Sequence, residues 1–470
     1  MGQKNKQFIQ MTEKPIHRLI ASLAVPNIIS MLATAIYSIA DTYFVSQLGT
    51  SASAAVGIVF SLMAIIQAVG FTIGMGAGTR ISRLLGKEKN DLAKKVASSS
   101  VAIGLLMGVI LAVIGIVFNK QFMHLLGATE TILPYAVIYA HYIFLATPAM
   151  ILSFILSNLL RSEGRATASM FGILVGCIVN VILIPILMFV FHMGIEGPAI
   201  STAISQYIGL LILSIPFFTK RTVLCLSIKK VALSIRIYWD ILKDGTPSLF
   251  RQGSASVAAV LLNLNAARYG DAAVAAMSIV TKIFMVIFSI MIGYGQGYQP
   301  VVGYNYGAKK NQRVKEAFWF TLKTGTIGMT FFGVLVWFLA PALMRAFLSH
   351  DKNVLEIGTS ALRMQCFATP FMALGVISNM TLQAVERNVS ATILTAARQG
   401  IFFLPLILTL PQFLGLTGIE MAQPIADVAT FLLCIPFLYV FFHKSPKAVV
   451  ARKQPLPEPK AGKMRNKKIR

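Results

Sequence analysis

The chain has 470 residues, of which 56% are hydrophobic and 13% are charged, and its mean hydropathy is +0.72. These values exclude an ordinary soluble domain, because a water-exposed surface needs a larger share of charged side chains. An outer-membrane barrel is excluded as well, since its strands alternate apolar and polar residues, whereas stretches such as 101–118 are continuously apolar. The sequence therefore predicts an all-α polytopic membrane protein.

Twelve apolar stretches are each long enough to cross the membrane as a helix, which takes roughly 20 residues. In chain order the predicted spans are 17–46, 52–78, 95–118, 131–159, 168–192, 195–218, 241–268, 272–298, 317–340, 355–383, 390–411 and 418–443. The chain up to Pro15 is polar and basic, and the first apolar segment is too long for a cleavable signal. We therefore expect the first span to be retained.

The net charge of +25 is distributed unevenly between the two sets of loops. Lys and Arg are concentrated at the N-terminus, in alternate loops, in 219–240 and in the tail 444–470. The opposite loops contain only four of the 42 Lys and Arg residues: Lys120, Arg268, Arg345 and Lys352. By the positive-inside rule, this predicts a multi-pass protein of the cell (inner) membrane with both termini in the cytoplasm. We expect the tail to lie near anionic lipid headgroups of the bilayer, with no nucleic-acid partner.

The two halves of the chain repeat each other. A shift of 221 in numbering places Pro26 on Pro247 and Gly76 on Gly297, and with a small change of offset the match continues to the end of both halves. Because each half holds six helices, an even number, the halves enter the membrane in the same sense, with a central cleft that suits alternating access. The predicted parts are an N-terminal six-helix lobe at 1–218, a cytoplasmic linker at 219–240, a C-terminal six-helix lobe at 241–443 and the basic tail at 444–470.

Several short motifs together carry a resemblance to a known family. They are Ala24-Val25-Pro26, Ile39 to Val45, Gly86 with Asn90, Arg161 to Gly164, Asn180 with Leu183 and Pro185, and Gly194 to Thr202. In these stretches the chain resembles the multidrug and toxic compound extrusion (MATE) family. The resemblance implies a secondary transporter, not an enzyme, that exports small amphipathic organic cations in antiport with protons or sodium. We expect a monomer that needs no cofactor beyond the coupling ion.

One acidic and four polar side chains are the candidates for the cation-coupling site. Ionisable groups at membrane depth are costly and are typical of transport sites, and Asp41 lies about 8 Å inside the outer end of the first span. Tyr37 lies one turn below it, and Tyr139, Asn180 and Thr202 fall in the same depth window on three other helices. The resemblance implies the same residue types in a polar first-lobe cavity. The alternative is that Asp41 only hydrogen-bonds a neighbouring helix end.

The second lobe has an excess of basic residues within its predicted spans. Arg251, Lys282, Arg363 and Arg398 are set against one deep acid, Asp427. Residue counting places Lys282 and Asp427 each about 15 Å from the outer surface, so a buried pair between them is predicted. The remaining charges are candidates for a structural or a substrate-binding role. The basic excess leaves one alternative function open, a flippase for an anionic lipid-linked substrate.

Other features argue for ordinary structural roles. The sequence has no Walker-type phosphate loop and no paired-carboxylate or His-rich motif, which argues against an ATP-driven pump, a membrane enzyme and a metal site. The glycine clusters 74–78 and 293–297 predict close helix packing. Ile184 stands where many bacterial relatives have an acid, so coupling through fewer ligands or a different ion is expected. His141 is predicted to be an interior histidine, with a proton relay as the alternative.

Overall fold

The computed structural model describes residues 3–232, 234–347 and 351–448, and within these ranges the chain forms helices and no strands. The predicted tail beyond residue 448 lies outside the described residues. The α-helices are α1 (Gln3–Glu13), α2 (Ile16–Ser46), α3 (Thr50–Gly86), α4 (Asn90–Val117), α5 (Asn119–Leu125), α6 (Leu133–Ser162), α7 (Ala166–Pro185), α8 (Glu196–Phe218), α9 (Ile235–Ala267), α10 (Asp271–Gly307), α11 (Asn311–Phe347), α12 (Lys352–Ala384), α13 (Asn388–Ala396), α14 (Phe403–Leu414) and α15 (Leu416–Ala448). A π-helical turn extends α7 over Ile186–Val190, and another, Ala397–Phe402, joins α13 to α14.

The helices confirm the predicted polytopic fold. Eleven helical segments in the described part of the chain are long and apolar enough to cross a membrane. The twelfth predicted span is α9, which is 33 residues long but carries five charged residues in its first half. Several helices run past the predicted spans, because their ends are polar and continue beyond the hydrocarbon. Thus α3 ends at Gly86 and not at 78, and α9 begins inside the predicted linker, at Ile235.

The two lobes meet through their first two spans. Helix α2 packs against α10, and its repeat partner α9 packs against α3. A Cβ atom on Gly76 would lie 2.0 Å from the carbonyl oxygen of Ile241, and one on Gly297 would lie 2.5 Å from the backbone of Ala24. Both glycines therefore allow backbone-to-backbone contact, and the predicted packing role of the two glycine clusters is confirmed.

We call the membrane face that carries α1, the linker 219–234 and the turns after α3, α6, α10 and α12 the basic face. On this face α1 bridges the two lobes. The side chain of Asn305 in the second lobe donates to the carbonyl oxygen of Met11 at 3.1 Å, and the side chain of Gln7 donates to the carbonyl oxygen of Glu163 in the first. The polar start of the chain is thus a packed helix at the lobe junction.

The linker is fastened to the first lobe by hydrogen bonds to two polar side chains there. The N–H of Ala232 donates to the hydroxyl of Ser99 at 2.9 Å, and the N–H of Val223 donates to the carboxyl group of Glu163. Glu163 lies just beyond α6 and is fully buried. Burial raises the pKa of the Glu163 carboxyl to about 7, although the Val223 N–H favours the ionised form.

This pKa predicts that the linker loosens with rising pH. Because the folded-state pKa of Glu163 is raised from 4.5 to about 7, the packed linker favours the protonated carboxyl and loses stability as pH rises through that interval. The loss should be on the order of 3 kcal/mol for full ionisation. Hydrogen exchange of residues 222–226, corrected for the intrinsic rate, should accelerate between about pH 4.5 and pH 7 and level off above that interval. Glu163→Gln should remove this dependence, whereas Glu316→Gln, at an exposed glutamate of the same face, should keep it. An unchanged pH dependence in Glu163→Gln would exclude this carboxyl as the cause.

Candidate functional site

The structure brings the five predicted coupling residues together in the first lobe. Helix α2 packs on α7, α7 on α8, and α8 on α6, so the four helices that carry these residues are neighbours. Asp41, Tyr139, Asn180 and Thr202 are each at most 1% exposed, and Tyr37 is half-buried. Tyr37 and Asp41 are four residues apart on α2 and therefore share one face.

Hydrogen bonds link these side chains into one cluster. The hydroxyl of Tyr139 is a hydrogen-bond partner of the Asp41 carboxylate, and Thr202 is a partner of both Tyr139 and Tyr37. The Nδ2 atom of Asn180 donates to the hydroxyl of Thr202 at 3.2 Å. The cluster thus joins α2, α6, α7 and α8.

Two acceptor atoms of the cluster have no hydrogen-bond partner among the described residues. They are Oδ1 of Asp41 and Oδ1 of Asn180, and both are buried. An unpaired buried polar group costs about 1–3 kcal/mol, and more when it is charged. A ligand that donates a proton or carries positive charge would satisfy both atoms. Asp41 lies within α2, which ends at Ser46.

Two other residues of the first lobe that the sequence analysis singled out do not belong to this cluster. Ile184 is fully buried on α7, so this position is apolar. His141 is exposed on α6, next to the buried Tyr139 and Ala140. The prediction of an interior histidine is therefore wrong, because residue counting does not tell which side of a helix faces away from its neighbours.

The predicted Lys282–Asp427 pair is also wrong. Asp427 pairs with Arg398, whose Nε atom lies 2.6 Å from the carboxylate. The reason is helix adjacency: the π turn that carries Arg398 packs directly on α15, whereas α10, which carries Lys282, packs chiefly on α2, α3 and α12. Lys282 has no ion pair within 4.0 Å among the described residues, and Arg363 lies over the ring of Trp337 at 5.7 Å.

An interlobe ion-pair cluster at the basic face was missed by the sequence analysis. Arg80 and Arg83, expected in a loop, lie in the last turns of α3. Arg83, with a side chain 1% exposed, pairs at 2.5 Å with Asp244 of α9, whose side chain is 5% exposed. Arg80 pairs with Asp240 at 2.6 Å. The sequence does contain a pattern that could have predicted these ion pairs, because two arginines lie one turn apart on α3 and two aspartates lie one turn apart on α9.

The Arg83 guanidinium makes further contacts with the second lobe. It lies 3.1 Å from Glu386 and donates to the carbonyl oxygen of Ala384 at 3.1 Å. Burial alone would raise the pKa of Glu386, but Arg83, Lys87 and Arg80 together hold this pKa below its usual range. Arg83 is therefore held by two carboxylates of the second lobe, and the lobes are locked together at this face.

Comparison with known proteins agrees with this architecture. The MatE family model matches the chain twice, over residues 26–186 and 247–409. The two matches begin at Pro26 and Pro247, which are the two prolines that the internal repeat superposes. The multidrug export protein MepA of Staphylococcus saprophyticus is 30% identical over 438 residues, which cover 93% of this chain and 96% of that protein.

Solved structures share the fold. A crystal structure of MATE in complex with MaL6 superposes with a TM-score of 0.88 at 24% identity, covering 92% of this chain and 97% of that chain. An outward-facing multidrug resistance MATE transporter of the MOP superfamily gives a TM-score of 0.87 at 24% identity, covering 91% and 96%. At this identity the structural likeness shows the fold, while the family match and the relative show the kinship. The chain therefore belongs to the MATE family of multidrug export transporters.

Proposed function

We propose that this transporter exports small amphipathic organic cations in antiport with protons or sodium, and that Asp41 is the shared binding group. The observation that carries the proposal is the buried Asp41 carboxylate, whose Oδ1 atom has no partner among the described residues. A buried carboxylate needs a positive charge or a proton beside it. Tyr37, Tyr139, Asn180 and Thr202 would position the carboxylate and complete the ligand shell.

Competition for one carboxylate is enough to couple two flows. An organic cation, a proton or a sodium ion can neutralise Asp41, but two of them cannot do so together. Export results if the cation and the coupling ion favour opposite orientations of the two lobes, since each ligand shifts the equilibrium by its differential affinity. The apolar Ile184 leaves Asp41 as the carboxylate of this cluster, so little coupling should remain without it.

Gradient-driven transport tests the proposal. Proteoliposomes with the purified protein would receive a fluorescent organic cation under an imposed pH gradient, and separately under a sodium gradient. One of the two gradients should drive dye movement against its own concentration difference, and this identifies the coupling ion. Equal dye movement with and without each gradient would overturn antiport.

The basic face is proposed to be the cytoplasmic face, with both termini on it, because Lys and Arg are concentrated there. In a variant without the native cysteines, Lys229→Cys in the exposed part of the linker should resist an impermeant thiol reagent added outside intact cells. Lys120→Cys, exposed on the opposite face, should react. The reverse labelling pattern would invert the proposed orientation.

A further inference from the structure

A large groove runs along the second lobe, apart from the proposed cation site. It has a volume of about 780 Å³ and is lined by residues of α11, α12 and α15. This volume lies within the range of about 300–1,000 Å³ that is common for ligand sites. The groove forms because α11 and α15 both pack on α12 and, within the described residues, pack little on each other. Pro370, Phe371 and Leu374 of α12 form its floor.

The walls of the groove face the lipid. Trp319 on α11 is 56% exposed, and Ile435 and Tyr439 on α15 are 49% and 59% exposed. All three line the groove and lie within predicted spans. At the depth of a span, an exposed apolar side chain contacts acyl chains, since the hydrocarbon core contains no water. The groove is therefore open sideways to the bilayer.

The length of the groove matches one leaflet of the bilayer. Along α11 the lining extends from Lys315 to Thr326, which is about 16 Å at a rise of about 1.5 Å per residue. One leaflet contributes about 15 Å to the hydrocarbon core. Lys315 lies on the basic face, just before the predicted span 317–340. The groove thus reaches from the level of the lipid headgroups to about the middle of the bilayer.

The mouth of the groove on the basic face is basic and aromatic. Lys315 and His443 line it there, and the described residues of the lining include no acid. Lys315 is exposed and has no ion pair within 4.0 Å among the described residues. The ring of His443 stacks on that of Tyr439, with the two centroids 4.4 Å apart. Tyr439 and Trp319 are of the residue types that membrane proteins place at headgroup level, so the mouth suits a lipid phosphate.

The equivalent place in the first lobe is covered by the chain itself. The internal repeat places Trp319 of α11 on Ser98 of α4. There the linker lies against α4, and the N–H of Ser227 donates to the hydroxyl of Ser98 at 3.2 Å. In the second lobe, α15 instead continues as a helix to Ala448 and does not turn back over α11. The repeat therefore does not require an open groove, which is particular to the second lobe.

We propose that this groove is a binding site for one anionic phospholipid of the leaflet next to the basic face. Lys315 binds the phosphate at the mouth, and an acyl chain lies along the apolar floor formed by Phe371 and Leu374. Basic pockets between spans are typical sites for anionic headgroups. An organic cation and the basic tail 444–470 both carry the same charge as Lys315, so neither suits the mouth. This lipid site does not depend on the proposed export function.

Fluorescence quenching of one tryptophan tests the site directly. The chain has three tryptophans, so Trp239→Phe with Trp337→Phe leaves Trp319 in the groove as the reporter. This full-length protein would be reconstituted with phosphatidylcholine and increasing brominated phosphatidylglycerol, whose bromine atoms quench a nearby indole, and separately with brominated phosphatidylcholine. Quenching by phosphatidylglycerol should saturate as for one site. Its affinity should be about fivefold higher than that of phosphatidylcholine, the contribution expected of one lysine beside an anionic lipid.

Three variants of the reporter protein identify the charge that selects the lipid. Lys315→Gln should remove most of the preference, leaving the two affinities within about twofold of each other. Lys315→Arg keeps the positive charge and should keep the preference. Lys94→Gln is the matched control, because Lys94 is the repeat counterpart of Lys315 on α4 and is paired with Asp91 at 3.8 Å. It should leave the preference at Trp319 unchanged.

Other outcomes would overturn the lipid site. Equal affinities for the two lipids at Trp319 would indicate ordinary contact with the bilayer. Weak quenching by both lipids would mean that another part of the chain covers the groove. Displacement of both lipids by an added organic cation would assign the groove to the export substrate, and a preference that persists in Lys315→Gln would refute the role of Lys315. None of these measurements requires transport, so their failure leaves the export proposal standing.

Discussion

Replacing Asp41 with Asn should abolish gradient-driven export of an organic cation while the protein still inserts and folds. Asn has the same shape but cannot ionise, so it fixes the uncharged form and removes the competition between cation and coupling ion. Transport should fall to the level of empty vesicles. Folding should be preserved, because Asn can still accept a hydrogen bond from Tyr139 and a buried charge has been removed.

The assay is dye transport into proteoliposomes under the gradient that drives the wild-type protein. Glu420→Gln is the matched control, since Glu420 is another buried acid, bonded to Ser360 in the second lobe, and its loss should leave coupling intact. Tyr37→Phe and Asn180→Ala should weaken transport less than Asp41→Asn, because they adjust the carboxylate without replacing it. Wild-type rates in Asp41→Asn would refute the assignment and direct attention to Asp427.

The second large effect is expected at the interlobe ion pairs of the basic face. Arg83→Met should open this face, because it leaves Asp244 buried without its closest cation. Removing one partner of a buried pair costs about 3–5 kcal/mol, which shifts a two-state equilibrium by a factor of about 100 or more. Spin labels at Lys87 and Lys309, both exposed on the basic face, should report a longer and broader distance in the variant.

Two comparisons make this result specific to the buried pair. The double variant Arg83→Met with Asp244→Leu should recover much of the closed population, because an apolar pair can replace a buried ion pair at little cost. Arg80→Gln should have a smaller effect, about 1 kcal/mol or less, since Arg80 and Asp240 are 23% and 26% exposed. An unchanged distance in Arg83→Met, or a double variant equal to the sum of its singles, would rule out a locking role.

Much of the fold could be predicted because lipid imposes simple rules. The length of each apolar stretch locates a membrane span. Because each half has an even number of spans, the two halves must enter the membrane in the same sense. The helix ends could not be predicted in this way. An apolar stretch ends at the first charged residues, but at the end of α3 and the start of α9 the charged residues are still part of the helix. Arg83 is buried there because Asp244 and Glu386 of the other lobe face it, and that pairing depends on tertiary structure.

The two candidate sites were predicted unequally for a related reason. Residue counting gives depth along a helix but neither the neighbours nor the exposed side of that helix. Depth was sufficient for Asp41, since its predicted neighbours lie on helices that pack together. For Asp427, depth favoured Lys282, while the packing of the π turn on α15 selects Arg398. A π turn is not apparent in a hydropathy pattern, yet it determines which charge reaches the acid.

The paired glycine contacts between the lobes have the form of a dimer interface enclosed in one chain. In an isologous homodimer, residue i contacts residue j of the partner, and j contacts i in return. Gly76 approaches Gly245 here, and Gly297 approaches Ala24, which are the same two positions exchanged by the internal repeat. In a true homodimer the two subunits have one sequence, so the two positions that the symmetry relates must carry the same side chain. Fusion removes that constraint, so the first half can keep Asp41 while the second half has Leu262 at the matching position.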